Sequence, residues 1–138
     1  MTRSLGFVVL LPALAVIGCG PPRVEQVATV PVKGKVVLAN GRAVTAGRVT
    51  FAAKEANVGG VEPFGDLKKD GTFDLMTQKP GDGAPVGRYV VWIDLVDYRN
   101  PPKKFESSPV PAKYRASATS DLVAEVKAGE NDLTLTLK

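Results

Sequence analysis

The side chains that most often carry chemistry are sparse in this chain. Among its 138 residues there is no His and a single Cys, Cys19. That removes a His general base, the Ser-His-Asp and Cys-His pairs, and every His metal ligand. It also removes an intramolecular disulfide and any Cys-built zinc or iron–sulfur site. Asp66, Asp70, Asp74 and Asp82 lie close enough in sequence to raise a calcium site, since calcium takes several oxygen ligands. Their spacing fits no calcium loop of the twelve-residue kind. Asp70 and Asp82 each precede Gly, where Asp serves turn geometry. Ser107-Ser108 and Thr119-Ser120 offer hydroxyls, but no base stands near them, so an activated nucleophile is not expected. The chain reads as a non-enzyme without metal or cofactor.

Two features have the chemistry of binding instead. Between residues 97 and 120, Arg99, Lys103, Lys104, Lys113 and Arg115 face only Asp97 and Glu106, with Tyr98, Phe105 and Tyr114 interleaved. A basic, aromatic loop on a rigid scaffold is a candidate recognition surface. It would draw anionic headgroups or envelope polymers electrostatically. Its candidate contacts are Arg99, Lys103, Lys104, Phe105, Lys113, Tyr114 and Arg115. The plainer arrangement has the aromatics packing the loop onto the fold and the lysines solvated. Trp92, the only Trp, is the second feature. It is either core or an exposed stacking platform for a sugar.

Lys+Arg number 18 and Asp+Glu 14, a formal charge of +4. That excess is too small to argue nucleic-acid binding. The length fits one domain. Residues 1–18 read as an export signal, with Arg3 as the basic start and Leu5 to Ile17 as the apolar stretch. The stretch falls short of the ~20 apolar residues of a membrane-crossing helix. It ends in Val16-Ile17-Gly18-Cys19, which resembles the lipobox of bacterial lipoproteins, with Val16 where Leu is usual. The resemblance implies cleavage before Cys19 and a diacylglycerol on its thiol. Two or three acyl chains, at about 0.8 kcal/mol per buried CH₂, hold a protein stably on a membrane. The other reading of Cys19 is a free thiol after an ordinary signal peptide. Residues 19–29 then form a tether, stiffened by Pro21-Pro22.

The remainder, 30–138, must position any binding surface, and it reads as short strands and turns. Val30, Val32, Gly34, Val36 and Leu38 alternate with Pro31, Lys33, Lys35 and Val37, the period of a half-buried strand. Asn40-Gly41 and Lys69-Asp70-Gly71 are turns. Val49, Phe51 and Ala53 share one face of a second strand, and Phe73 and Leu75 point inward from a short one. Residues 54–65 read as a loop with room for a short edge strand. Pro80-Gly81-Asp82-Gly83-Ala84-Pro85 leads into the strongest strand, with Tyr89, Val91, Ile93 and Leu95 on one face and Val90, Trp92 and Val96 on the other. A strand apolar on both faces is central and covered twice, or carries an outer patch. Residues 97–120 hold four prolines and read as a long loop. Leu122, Ala124 and Val126 mark a further strand; Gly129-Glu130-Asn131-Asp132 turns; Leu133, Leu135 and Leu137 mark the last. About seven such strands predict an all-β, antiparallel β-sandwich with Greek-key connections.

Several phrases together resemble one family. They are Val32-Lys33-Gly34-Lys35-Val36, Gly47-Arg48-Val49-Thr50-Phe51, Asp70-Gly71-Thr72-Phe73, Lys79 to Pro85, Gly87-Arg88-Tyr89-Val90-Val91, Pro111-Ala112-Lys113-Tyr114 and Thr119-Ser120-Asp121-Leu122. The chain is similar to small lipoproteins abundant in planctomycete-type bacteria, whose domain is a transthyretin-like, or carboxypeptidase regulatory-like, β-sandwich. The resemblance implies fold and location but no reaction. One branch of that superfamily hydrolyses 5-hydroxyisourate with His and Arg. This chain has no His and lacks that branch's Tyr-Arg-Gly-Ser ending. The expectation is a lipid-anchored envelope protein on the non-cytoplasmic side, with a structural or interaction role toward an envelope protein or polymer. The alternative is a carbohydrate- or peptide-binding module serving an envelope enzyme.

Overall fold

The structure, a computed structural model, describes residues 20, 26–54, 60–97, 103–104 and 107–138. The proposed signal peptide and Cys19 lie outside the described residues, as does most of the tether. Two β-sheets dominate, with one short 3-10 helix, Ala112–Arg115, among the described residues. The strands are β1 (Val32–Leu38), β2 (Arg48–Ala53), β3 (Phe64–Asp66), β4 (Thr72–Asp74), β5 (Gly87–Asp94), β6 (Val96–Asp97), β7 (Lys103–Lys104), β8 (Val123–Val126) and β9 (Asn131–Leu137). One sheet runs β4-β1-β9 and the other β3-β2-β5-β8, while β6 and β7 pair by themselves.

Among the described residues these nine strands exceed the predicted seven. Of the extra pair, β6 starts at Val96, read as the end of the strongest strand, and β7 falls in the stretch 97–120 read as a loop, because two-residue strands are too short to show a period. A second correction concerns direction. The four-stranded sheet is antiparallel throughout, but β1 pairs with β9 in parallel over its whole length, from Val32↔Asn131 to Leu38↔Leu137. Alternation decides which face a side chain takes; it says nothing of a neighbour's direction. The parallel pairing arises because β8 and β9 are not a hairpin: the turn between them carries the chain from one sheet to the other.

Alternation does place the core. Val32 and Val36 of β1, Phe73, Leu75, Leu135 and Leu137 are buried on the three-stranded side. Val49, Phe51, Tyr89, Val91, Ile93, Ala124 and Val126 meet them from the four-stranded side. The Phe51 ring joins the two layers, 6.2 Å from the ring of Phe73 and 5.6 Å from that of Tyr89. Tilted pairs at that distance suit the ring quadrupoles. The Tyr89 hydroxyl donates to the Pro85 carbonyl at 2.7 Å, and burial pushes its phenol up to about 12.

The crossings between sheets depend on particular residues. Asn131, only 8% exposed, accepts from Lys127 N at 2.9 Å and donates to the carbonyls of Lys127 and Gly129. Its backbone N–H donates to Pro31 O, tying this turn to the start of β1. In the Pro80–Pro85 run, burial raises the Asp82 carboxyl, but backbone N–H groups of Thr77, Gln78 and Lys79 outweigh it. Donating at 2.7, 2.9 and 3.1 Å, they hold Asp82 below its ordinary 3.8. Gly83 follows at φ +81°, and a Cβ there would strike the Val30 carbonyl. A left-handed glycine in close backbone contact is what lets this loop bridge Val30 through Ala84.

Candidate functional site

The basic loop resolves into separate structural tasks. Arg99 and Phe105 lie outside the described residues, and of Lys103 only the β7 backbone is described. Lys104 is exposed on β7, opposite Val96. Lys113, on the 3-10 helix, sets its Nζ 3.0 Å from Asp121 and 4.7 Å from the centre of the Tyr114 ring. The Asp121 carboxylate raises the Lys113 ammonium and is itself lowered by it. Tyr114 does not belong to a surface: it is 2% exposed, and its hydroxyl donates to Lys138 O and accepts from Lys138 N. An aromatic with its hydroxyl satisfied on both sides is a core residue. Arg115 is exposed, but its guanidinium donates to the carbonyls of Val110 at 2.7 and 2.9 Å and Ser108 at 3.3 Å. It closes the loop on itself. Of the candidate cluster, Lys104 and Lys113 remain as described exposed ammonium groups outside such staples, and Lys113 already holds Asp121.

The hydroxyls and acids are likewise committed to structure. Ser120 Oγ donates to Val91 O, and Thr119 Oγ1 donates to Lys113 O at 2.8 Å. Asp66 pairs with Arg48, Asp74 with Lys68, and Asp70 accepts from the Thr72 hydroxyl and amide. The Thr72 contacts lower Asp70, and the Asp74 contact raises Lys68. Among the described residues no three His, Cys, Asp or Glu gather as they would around a metal.

A different site emerges on the outer face of the four-stranded sheet. Register sets Thr50 directly between Phe64 on β3 and Trp92 on β5. The next row along holds Asp66, Arg48 and Asp94 in the same order. Arg48, Thr50, Glu62, Phe64, Trp92 and Asp94 line an open groove of about 320 Å³. Arg48 stacks 4.2 Å from the centre of the Phe64 ring and donates to Asp66 at 2.8 Å, so its guanidinium is oriented from two sides. Asp94 accepts from Val96 N at 3.2 Å. Trp92 is half-buried, and its indole Nε1 is shut away from water with no hydrogen-bond partner. Such an unpaired buried donor costs about 1–3 kcal/mol and calls for an explanation.

Sequence reading singled out Trp92 but missed its neighbours. Phe64 and Glu62 sit in or beside the stretch read as loop, and Arg48 and Thr50 read as the outer face of an ordinary strand. Only the register across three strands assembles them.

The two ends of the sandwich differ in what they present. Val30 bridges Ala84, and Val32 faces Asn131 where β1 begins. Leu38 faces Leu137 where it finishes, and there Tyr114 holds Lys138. The β6–β7 pair continues beyond the Asp94 end of β5, which shares that side. Seven residues at about 3.3 Å each set Lys104 and Lys113 on the order of 20 Å from the Val30 end. Comparison with family models, with curated proteins and with solved structures finds no match to this chain.

Proposed function

We propose that the mature chain is a non-enzymatic, lipid-anchored protein of a bacterial cell envelope, of the planctomycete-type small lipoprotein kind with a transthyretin-like, Greek-key domain. The signal 1–18 exports it, lipid on Cys19 holds it to a membrane, and the β-sandwich serves an interaction role. The observation that carries the interaction role is the open groove beside Trp92, with aromatic, cationic, anionic and hydroxyl groups on one sheet face. Small-molecule and recognition sites share that composition. The basic loop supports the same outward orientation, because its exposed lysines lie at the end remote from Val30 and the tether. A partner or polymer of the envelope suits this arrangement better than headgroups of the anchoring membrane. No described helix is long and apolar enough to cross a membrane, and in this reading attachment rests on Cys19.

The test is intact mass and detergent partitioning of the protein from its native envelope. Residues 19–138 plus acyl chains, in the detergent phase, is the expected result. Cys19→Ser protein that still fractionates with membranes would overturn the anchor.

A further inference from the structure

We propose that the groove beside Trp92 is a saccharide site, taking one or two neutral sugar rings; this rests on the reading of that groove as the interaction face. Its volume, about 320 Å³, stands at the small end of the roughly 300–1,000 Å³ of ligand sites. A space of that size accommodates a small polar ring.

The chemistry of the wall narrows the class. A sugar ring has apolar C–H faces and a rim of hydroxyls that both donate and accept. Trp92 and Phe64 supply aromatic surface for the faces. Glu62 and Asp94 supply carboxylate acceptors, Arg48 donors and Thr50 both. The indole N–H of Trp92 is itself buried and unpaired, so the residue is offered to a ligand here for its ring surface.

Charge argues against an anionic occupant. The lining holds one cation, Arg48, against Glu62 and Asp94, and Arg48 already holds Asp66. Among the described lining residues, a phosphate or sulfate would have to draw this one cation away from Asp66 and the Phe64 ring. Backbone geometry argues against an extended peptide. β2 is paired on both sides by β3 and β5, and β5 by β2 and β8. The strands that carry Arg48, Thr50, Trp92 and Asp94 therefore offer no free backbone edge for strand addition, and Phe64 on the edge strand β3 is already bridged to Met76.

The only Trp in the chain lines this groove, so its emission reports on the site alone. The lipidated mature protein in detergent micelles would be titrated with maltohexaose, cellohexaose and chitohexaose to about 10 mM, a range that reveals millimolar affinities. Trilysine peptide is the cationic control. The expected result is a saturable emission change with at least one oligosaccharide, weakened about 10-fold by Glu62→Ala through loss of a charged acceptor. Glu62 is exposed, so this variant keeps the fold. Calorimetry on Trp92→Phe should show a comparable loss. Saturable binding unchanged by both variants would overturn the site. A response to trilysine alone would overturn the saccharide and leave the interaction face standing. Silence toward all four probes would overturn both, independently of whether Cys19 carries lipid.

Discussion

Across the three-stranded sheet the outward positions read Asp74, Lys33 and Asp132 in one row, then Thr72, Lys35 and Thr134 in the next. Across the four-stranded sheet they read Phe64, Thr50 and Trp92 in one row, then Ala52, Val90 and Val123 in the next. Both sheets bury their inner faces against the same core, so the contrast is confined to the outside. The first surface alternates charge with hydroxyl, is well solvated, and discourages edge pairing by β4 and β9. A hollow of about 130 Å³ between Pro31, Asp74, Gly81 and Asn131 lies at its Val30 end. The second surface keeps aromatic groups, a valine 42% exposed at Val123 and an unpaired indole donor. Stability alone does not ask for such a face. The comparison teaches that the two outer faces differ in kind: one alternates charge with hydroxyl, while the other sets aromatic and aliphatic rows between charged ones.

The contrast presupposes a shared core, and the largest effect should come from breaking it. Phe51 bridges the two sheets through Phe73 and Tyr89. Phe51→Ala is expected to cost about 3–5 kcal/mol, a large part of the 5–15 kcal/mol available to a domain. Urea unfolding measures it. A loss under about 1 kcal/mol would mean that the two layers do not pack on this ring.

A smaller loss is expected at the crossing that holds the Val30 end. Asp82→Ala leaves three backbone N–H groups without their acceptor. Water reaches part of this loop, so about 1–2 kcal/mol is expected. The pH dependence has a definite sign. The folded carboxyl lies below its ordinary 3.8, so its contribution is present above 3.8 and is lost as pH falls through the folded value. Below pH 4 the native chain should therefore lose stability more steeply than Asp82→Ala. Parallel slopes in acid urea melts would remove Asp82 from this role.

How much of this was legible in the sequence follows from what a period can encode. Val32, Val36, Phe73, Tyr89, Val91, Ile93, Leu135 and Leu137 were readable as inward residues, because alternation in a strand is a statement about faces. The turn at Gly129–Asp132 was readable as a turn. That it crosses between sheets, making β9 run parallel to β1, was not, since partner choice is set by the whole core. Tyr114 and Arg115 looked like surface because their neighbours are charged; their partners, Lys138 and Val110, are recognised only in three dimensions. The groove was least legible of all. Its residues come from three strands and a loop, and no spacing along the chain joins Glu62 to Trp92.

The two aromatic residues on β5 offer a smaller, paired effect that sharpens the comparison. The Tyr89 hydroxyl has its acceptor in Pro85 O, so Tyr89→Phe should cost about 0.5–1.5 kcal/mol. The Trp92 indole has none, so Trp92→Phe removes an unsatisfied donor along with some ring area. The two changes oppose, and stability should stay within about 0.5 kcal/mol of the native chain. A Trp92→Phe loss as large as that of Tyr89→Phe would mark Trp92 as a structural residue. The outer face would then have no surplus to explain.

The smallest effects belong on the charged face, and they test whether its pattern matters. Lys33 stands between Asp74 and Asp132, whereas Lys35 stands between Thr72 and Thr134. Opposite charges directly across a sheet contribute about 0.2–1 kcal/mol, and Lys33→Ala should lose an amount in that range. Added salt should shrink the difference, because these positions are exposed and their attraction is screened. Lys35→Ala should stay within about 0.5 kcal/mol at any ionic strength. Neither change should alter oligosaccharide binding, since both lie on the opposite face from Trp92. If Lys35→Ala weakened that binding while the urea midpoint stayed fixed, the ligand would be meeting the three-stranded sheet. The division of labour between the two faces would then have to be redrawn.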